Sequence, residues 1–382
     1  MLASPAMPDS ATGCATQAAC DHIIVKCAVE SFDPDKHLAF KEAPEILTMK
    51  DIGYPEDTGV SPVAMSQPFQ LFTKEAVDQM RQEIFKKEVN ETCQFRSNIA
   101  ASQLRGYAGR FAPFTYDAWT HPKTLAIMSK IAGVELTVVV DYEIGHINFA
   151  VKSKKQVQQE IDMINAQKCF FASDEGISGC PWEDDKPVVG WHRDSYPFVC
   201  VLMLSDCTNM VGGETAIQKP DGTVIRVRGP GMGSAIILQG RYITHQALRA
   251  LGTRERITSV TSFRPKDPFA ADATVLNTVR QISDVSMLYH QFAEYRLQIM
   301  EDRIRAKLRE MERRQRAGKK FATSDFKAFL KEQTKFLAHM NSEMVDEDMI
   351  ASGYIEEMNI PDVVVDVNQG GMERPTKRTR TD

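Results

Sequence analysis

Two kinds of hydrophobic spacing divide the chain into helical flanks and a strand-rich centre. Near the N-terminus, Ala76, Met80 and Ile84 recur at helical spacing after Thr73, a typical N-cap residue. From residue 135 onward, the segment ELTVVVDYEIGHINFAV is rich in β-branched and aromatic residues, as strands are. The pattern therefore predicts a helical N-terminal region followed by a sheet.

The centre of the chain carries a dense series of short apolar runs. They stand at 188–192, 197–204, 214–218, 223–227, 234–239, 242–248 and 256–263. Turn signals such as Gly212-Gly213 and the segment RGPGMG separate most of them. Many short strands with glycine-rich turns are typical of a sandwich or barrel. With the segment at 135–151 these seven runs make eight, a number that favours a double-sheet jelly roll.

Two further helices are predicted beyond residue 270, each with an apolar stripe. The first stripe comprises Val285, Leu288, Phe292, Tyr295 and Ile299, with Gly318 as a C-cap. The second comprises Phe326, Phe329, Leu330, Leu337 and Met340. These helices either cover the outside of the barrel or form a homodimer interface or an active-site cover.

The predicted fold class is therefore α+β, a jelly-roll core buttressed by N-terminal and C-terminal helices. The segments are a disordered tail (1–21), a helical buttress (22–134), the β core (135–268), a helical region (269–345) and a mostly disordered tail (346–382). No internal repeat is present.

Composition narrows the possible partners. The chain has 382 residues, a net charge of −5 and a pI near 6.0, which argues against a nucleic-acid-binding surface over the whole molecule. Eight cysteines without a CxxC pair fit a reducing compartment. The sequence has neither a signal peptide nor a long apolar run, so we expect a cytoplasmic protein without membrane contact. The basic end MERPTKRTRTD allows a nuclear location as well.

A candidate metal site begins in the segment GWHRDSYPF. Because alternate residues of a strand face the same side, His192 and Asp194 can direct an imidazole and a carboxylate at one point. His245 lies in the next-to-last predicted strand, which a jelly roll folds back beside the first pair. Two histidines and one carboxylate form the facial triad of non-haem Fe(II), although a zinc hydrolase uses the same ligand types.

The last predicted strand, RITSVTSFRP, offers a carboxylate-binding pair. Arg256 and Thr258 share one face, and a guanidinium with a hydroxyl suits the distal carboxylate of 2-oxoglutarate. Arg254 has the same strand parity, so it remains the alternative anchor.

This ordered set, H-x-D, a distal histidine and R-x-T, resembles the Fe(II)/2-oxoglutarate-dependent oxygenases over roughly residues 135–265. The segment PFQLFTKEAVDQM is similar to the opening helix of the phytanoyl-CoA-hydroxylase-like branch, and the chain looks most similar to fungal members of the superfamily. The resemblance implies a double-stranded β-helix with His192, Asp194 and His245 on iron. It also implies 2-oxoglutarate held by Arg256 and Thr258, with O₂ as co-substrate.

Further candidate residues surround this predicted centre. His146 and Asn148 share a strand face and either bind the 2-oxoglutarate C1 carboxylate or substrate, or satisfy each other in a polar core. Gln239 and Arg264 are candidates for the barrel mouth, Arg264 with a solvent-facing alternative.

Three more substrate contacts are possible in connecting segments. Trp182 stands in the 174–187 loop, which is either a lid or an acidic surface loop. Tyr107 and Arg110 are candidates in a helix-to-barrel connection, with core or surface roles as the alternatives.

The function expected from these features is oxidation of a small molecule such as an amino acid or natural-product intermediate, by hydroxylation, desaturation or cyclisation, with succinate and CO₂ as co-products. The first alternative keeps the chemistry but changes the substrate to a protein side chain or a nucleic-acid base. The second is a catalytically inactive, cupin-like jelly-roll binding protein.

Overall fold

The computed structural model describes residues 30–97, 102–172, 187–208, 210–227 and 231–355. The α-helices in this part of the chain are α1 (Pro34–His37), α2 (Lys74–Ile84), α3 (Lys87–Thr92), α4 (Ala108–Phe111), α5 (Pro113–Thr120), α6 (Pro122–Ala132), α7 (Lys154–Ala172), α8 (Val285–Arg316) and α9 (Thr323–Glu343). None of the helices described is long and apolar enough to cross a bilayer.

The strands are short, apart from the last. They are β1 (Ile46–Thr48), β2 (Val63–Ser66), β3 (Phe69–Gln70), β4 (Gln94–Phe95), β5 (Gln103–Leu104), β6 (Leu136–Val138), β7 (His146–Val151), β8 (Pro187–His192), β9 (Phe198–Met203), β10 (Val211–Gly212), β11 (Thr215–Gln218), β12 (Val224–Val227), β13 (Ser234–Leu238), β14 (Thr244–Leu248), β15 (Ala250–Leu251) and β16 (Glu255–Pro265).

Two antiparallel sheets form the centre of the fold. The larger contains β13, β9, β16 and β7 as neighbours, and the smaller has the order β12-β11-β14-β8. Strands that follow one another along the chain are therefore divided between the two sheets. This mixture of helices and antiparallel sheets is consistent with the predicted jelly-roll core.

A buried apolar layer lies between the two sheets. Val199 and Ile236 come from the larger sheet, and Ile217 and Val227 come from the smaller. All four are at most 6% exposed. The sheets therefore enclose a core, and polar side chains that point into it are shielded from water.

The opposite face of the larger sheet is covered by helices. Phe198, Cys200 and Leu202 of β9 pack in one cluster with Met80 of α2 and Trp119 of α5. Since neighbouring residues of a strand point to opposite faces, β9 is buried on both sides. This explains why its sequence, FVCVLM, is a continuous apolar run rather than an alternating one.

The N-terminal region is less helical than the sequence pattern predicts. Short strands from this region extend the larger sheet on both sides, because β2 and β3 pair with β13 whereas β5 pairs with β7. These strands have two to four residues. Such lengths are too short for a hydrophobic period to be visible, and only the tertiary pairing defines them.

The helix α8 packs on the core through the predicted stripe. Asp284 caps its N-terminus by accepting a hydrogen bond from the Met287 amide at 3.0 Å. Leu288, Phe292 and Tyr295 are buried against the chain that leads from β6 into β7. The helix α9 then returns along α8.

Candidate metal centre and cosubstrate pocket

The two predicted histidine ligands face each other across a strand pair. His192 of β8 and His245 of β14 are direct partners in the antiparallel register, and their ring centres are 4.4 Å apart. Ile217 is the partner of His245 on the other side, and its side chain belongs to the inner core. Because directly opposed residues share a sheet face, both imidazoles point into the barrel.

Asp194 completes the cluster from the turn that follows β8. Its amide donates to the Gly240 carbonyl at 2.9 Å. The Oδ1 atom lies 3.5 Å from His192 Nε2, and Oδ2 lies 3.4 Å from His245 Nε2. One ligand atom from each of the three residues falls within 4.8 Å of the others. The structure therefore brings the predicted triad together.

Backbone contacts orient both rings. His192 Nδ1 lies 2.8 Å from the Gly190 carbonyl oxygen, and His245 Nδ1 lies 3.2 Å from the Ile243 carbonyl oxygen. A carbonyl oxygen only accepts, so each Nδ1 carries the proton and donates it. In the neutral rings the lone pair is then on Nε2, facing Asp194. Histidines that bind metals are held in this way.

The carboxylate side of the cluster also fits a divalent cation. Among the described residues, the buried Oδ2 of Asp194 has no hydrogen-bond partner, and such an oxygen is costly without a compensating charge. A Cβ at Gly240 would lie 1.7 Å from this oxygen, so only glycine leaves room for the carboxylate. The residues present therefore match a metal with nitrogen and oxygen ligands.

The protonation states of His245 and Asp194 agree with this donor set, whereas at His192 burial is outweighed by the hydrogen bond and charge of Asp194, which raise the pKa above its usual value. Burial lowers the pKa of His245 to about 4, so its imidazole is neutral at pH 7. Burial alone would raise the pKa of Asp194, but the facing His245 and His192 outweigh that effect and hold the pKa below its usual range. A neutral imidazole and an ionised carboxylate are the forms that bind metals.

Arg256 and Thr258 line a small cavity inside the barrel. The cavity measures about 30 Å³ and is also lined by Gly213, Thr215 and Ser234, so it accepts a group of about the size of one carboxylate. Arg256 is 8% exposed, and its Nη2 is 3.4 Å from the Gly213 carbonyl oxygen. Within the described residues its Nε has no hydrogen-bond partner. The guanidinium thus keeps donors for a ligand.

Arg254 lies in a different place. It lines a cavity of about 640 Å³ outside the barrel, together with Ile161 and Ile164 of α7. Thr258 is not among the residues around that cavity. The pairing of a guanidinium with the Thr258 hydroxyl therefore favours Arg256 over Arg254 as the anchor, and the role itself stays a prediction.

His146 and Asn148 occupy the strand next to this cavity. In the register of β7 with β16, Asn148 is opposite Thr258 and His146 is opposite Val260, so both face inward. Asn148 Oδ1 accepts a hydrogen bond from Gln103 Nε2 at 3.0 Å. His146 Nδ1 is 3.2 Å from Arg105 Nη1. The two residues thus have separate partners and do not satisfy each other.

Arg105 belongs to a buried charged network that the sequence pattern did not reveal. Its guanidinium forms an ion pair with Glu143, whose Oε1 also accepts a hydrogen bond from the Tyr196 hydroxyl at 2.9 Å. The Arg105 and Glu143 side chains are at most 2% exposed. These residues come from three distant segments, and no local spacing links them. Only the fold brings them beside His146.

The arginine defines the tautomer of His146. A guanidinium only donates, so Nδ1 must accept and the proton of the neutral ring is on Nε2. Burial, together with the Arg105 charge, holds the pKa of His146 well below its usual range, while the nearby Asp194 carboxylate opposes the shift. In the described part of the chain this buried Nε2 has no partner. His146 therefore presents an N–H donor near the triad, whereas the two candidate ligand histidines, when neutral, present lone pairs.

Two residues predicted at the barrel mouth have other positions. Gln239 is fully buried, and its amide bonds the backbone of residues 60–63: Oε1 accepts from Val60 N at 2.9 Å and Nε2 donates to Ser61 O at 2.7 Å. Arg264 is held over the Tyr295 ring at 5.0 Å, between the barrel and α8. Both side chains make packing contacts within the protein at these positions, and a role at the substrate stays a prediction.

The candidates in the N-terminal connection have the positions that the core and surface alternatives require. Tyr107 is 1% exposed and packs in the cluster between the larger sheet and the helices. Arg110 is exposed on α4 and stacks on Phe111 with 4.8 Å from Cζ to the ring centre. These are the core and surface alternatives weighed above. Trp182 and most of the proposed 174–187 lid lie outside the described residues.

Comparison with known proteins gives structural likeness only. A scan against protein-family models matches nothing, and neither does a comparison with curated proteins. The chain is similar to an oxidoreductase of the 2OG-Fe(II) oxygenase family from Burkholderia pseudomallei (15% identity, 44% of this chain and 71% of that one, TM-score 0.30). It is also similar to a prolyl-4-hydroxylase from Pseudomonas putida (15%, 53% and 93%, TM-score 0.31).

A third similar structure is SnoN, a non-haem α-ketoglutarate-dependent epimerase from nogalamycin biosynthesis (13% identity, 56% of this chain and 80% of that one, TM-score 0.36). All three superpositions cover about half of the chain. We therefore take the function from the geometry of the site itself.

Proposed function

We propose that the protein is an Fe(II)/2-oxoglutarate-dependent dioxygenase, an oxidoreductase built on a double-stranded β-helix. The observation that carries this proposal is the triad of His192, Asp194 and His245, in which both rings direct Nε2 lone pairs toward the carboxylate. Three protein ligands on one side of a metal leave positions open for a cosubstrate and O₂. We also propose that the protein belongs to the phytanoyl-CoA-hydroxylase-like, fungal branch of these oxygenases.

The metal and cosubstrate supply the oxidative chemistry. Iron(II), when bound with 2-oxoglutarate, couples O₂ reduction to decarboxylation of the cosubstrate, giving succinate, CO₂ and an oxidised substrate. The chain's own residues bind, orient and shield the reactants.

In this proposal, charged and polar side chains hold the cosubstrate at its two ends. Arg256 and Thr258 bind its C5 carboxylate in the inner cavity, where low exposure strengthens a charge-assisted hydrogen bond. At the other end, the Nε2–H of His146 donates to the C1 carboxylate, with Arg105 keeping the tautomer. Asn148 has the same inward orientation and contributes a side-chain amide between the two ends.

A zinc hydrolase is the rival use of the same ligands. Such a site needs no buried cation at a distance from the metal, whereas this barrel buries Arg256, at 8% exposure, beside the Thr258 hydroxyl. A buried arginine beside a hydroxyl is well explained by an anionic ligand. This residue therefore favours the oxygenase over the hydrolase and over an inactive binding protein.

We propose that the substrate is a small molecule, such as an amino acid or natural-product intermediate. The net charge of −5 favours this class over nucleic acid. A protein or nucleic-acid substrate is the alternative, and a wide basic groove at the barrel mouth would be its signature.

The test is anaerobic reconstitution with Fe(II) followed by addition of 2-oxoglutarate. We expect a weak visible charge-transfer band and, after O₂ is admitted, succinate formation that rises with the right substrate. The His245→Ala variant should give neither signal, whereas Arg254→Ala, altered outside the barrel, should give both. Succinate at the level of the metal-free control, or a hydrolytic activity with Zn²⁺, would refute the proposal.

A further inference from the structure

The carboxylate of the triad lies outside the strand ladder that holds the two histidines. His192 and His245 are register partners in β8 and β14, whereas Asp194 follows β8 in a turn. Its support is the turn at Gly240, between β13 and β14, whose carbonyl accepts from the Asp194 amide at 2.9 Å. The position of this carboxylate therefore depends on how two connecting turns are held, rather than on a sheet.

A segment that follows the last barrel strand contacts the turn that carries the carboxylate. Residues 272–280, here called the clamp segment, lie between β16 and α8. The amide of Val275 donates to the carbonyl of Ser195 at 2.9 Å, and the hydroxyls of Thr278 and Ser195 are 2.5 Å apart. Ser195 directly follows Asp194 and is 2% exposed. The clamp segment therefore holds this turn one residue after the candidate ligand.

The clamp segment also contacts the turn that supports the carboxylate. Arg241, the residue after Gly240, donates through Nε to the Ala273 carbonyl at 2.9 Å. A Cβ at Gly240 would lie 1.7 Å from the Asp194 carboxylate, so the two turns approach each other closely. Because the clamp segment bonds both turns, it fixes their separation, and this separation sets the place of the carboxylate relative to the histidines.

The C-terminal helices hold the clamp segment at both of its ends. Glu343 of α9 accepts a hydrogen bond from the Leu276 amide at 2.7 Å and pairs with Arg280 at 3.0 Å. Arg296 of α8 pairs with Asp272 at 3.0 Å. The two carboxylate side chains are 14% and 5% exposed, so water screens these pairs poorly. Residues 272–280 include no strand, so contacts with the helices, rather than a sheet ladder, determine where the clamp segment lies.

We propose that the C-terminal helices complete the metal site by positioning Asp194 through the clamp segment. This inference rests on the proposed metal triad and gives Glu343 and Thr278 positioning roles, which they exert through Ser195 and the backbone. The two histidines are fixed by strand pairing and need no such support. The helices therefore belong to the architecture of the site as well as covering the barrel.

The preferences of two metal ions separate a displaced carboxylate from a general loosening of the protein. Carboxylate oxygens suit Mn(II), whereas imidazole nitrogens suit Ni(II). A change that displaces only the carboxylate should therefore weaken Mn(II) binding more than Ni(II) binding. A protein that is loosened throughout should lose affinity for both ions to a similar extent. Groups that orient a metal ligand typically contribute about 10- to 100-fold to metal affinity.

The experiment is titration of the metal-free full chain with Mn(II), followed by EPR of the free ion, and with Ni(II), followed by calorimetry. Thr278→Val, which removes one hydroxyl, and Glu343→Ala should each weaken Mn(II) binding by about 10-fold and Ni(II) binding by no more than about 2-fold. Glu343→Gln keeps an acceptor for the Leu276 amide and should recover part of the loss. Ser195→Ala combined with Thr278→Val should cost no more than either change alone, because the two hydroxyls bond each other.

Glu160→Ala is the matched control. Glu160 of α7 also accepts a backbone amide, that of Gly252 at 3.0 Å, and pairs with Lys152 at 2.7 Å. Its side chain is 16% exposed, and Gly252 lines the cavity outside the barrel. This variant should bind both ions as the wild type does.

Two results would overturn the positioning role while leaving the triad intact: unchanged Mn(II) affinity in Thr278→Val and Glu343→Ala, or an equal loss in Glu160→Ala. Thr278→Val decides the matter if Glu343→Ala does not fold. A wild type that binds neither ion overturns the triad, and with it both this inference and the proposed function.

Discussion

Removing the guanidinium of Arg256 should abolish tight binding of 2-oxoglutarate while leaving the metal in place. Arg256 is 8% exposed, so water does not screen its charge well, and its contact with the Gly213 carbonyl is long at 3.4 Å. Loss of one partner of a buried charge pair costs about 2–5 kcal/mol. The affinity of the Arg256→Ala protein for 2-oxoglutarate should therefore fall by about thirty-fold to several thousand-fold.

The assay is an anaerobic titration of 2-oxoglutarate into the Fe(II)-loaded protein, followed by the visible band, with iron stoichiometry measured in parallel. Arg256→Lys should recover part of the loss, because an ammonium keeps the charge but not the fork of donors. Arg254→Ala is the matched control, since Arg254 lines the cavity outside the barrel. A large loss in Arg254→Ala with almost none in Arg256→Ala would refute the reasoning and move the anchor by two residues.

Four further predictions follow from other contacts. His245→Ala should lose Fe(II), measured by metal analysis after anaerobic reconstitution, because two remaining ligands hold the ion poorly. Gly240→Ala should lose it as well, since the new Cβ would displace the carboxylate of the triad; a full iron complement would show that the carboxylate is not a ligand. In metal-free protein, ¹⁵N spectra of His146 should show the Nε2–H tautomer. In the active protein, His146→Phe should raise the KM for 2-oxoglutarate more than His146→Gln does. Asp272→Asn should lower the free energy of unfolding by about 3–5 kcal/mol, because Arg296 pairs with this carboxylate at 3.0 Å.

The pair of Asp272 and Arg296 also predicts a pH dependence. Burial alone would raise the pKa of Asp272, but the Arg296 charge outweighs it and holds the pKa below its usual range. A depressed pKa in the folded state means that the stabilisation is complete above the pH at which the unfolded carboxyl titrates, about 4. It is lost as the pH falls through the lower folded pKa. Acid unfolding of wild type and Asp272→Asn should therefore converge at low pH, and parallel curves would contradict this.

The candidate metal ligands were visible in the sequence because strand geometry is local. A spacing of two residues places His192 and Asp194 at one strand end, and the position of His245 in the next-to-last strand predicts its return to that end. In the structure, the two histidines are direct partners in the antiparallel register of β8 and β14. Arg256 and Thr258 likewise follow from strand parity, and they line one cavity.

Side chains whose environment is made by distant segments could not be assigned in this way. Gln239 looked like a mouth residue, but residues 60–63 provide the carbonyls and the amide that hold it. Tyr107 lies in a connection by sequence, yet the helices around it bury its ring. A polar residue near a strand end has the same local signal whether it faces a ligand or a neighbouring backbone.

The sequence by itself determined the longer central strands, which of their residues share a strand face and which of those are candidates to bind a metal, because these properties depend on the period of the backbone. The tertiary structure decided which faces meet. It joined Arg105, Glu143 and Tyr196 beneath His146, and it gave this ring the opposite tautomer from His192. That choice depends on whether a guanidinium or a carbonyl reaches Nδ1. The carbonyl at His192 belongs to Gly190, two residues earlier in the same strand, whereas only packing between distant segments brings the Arg105 guanidinium to His146.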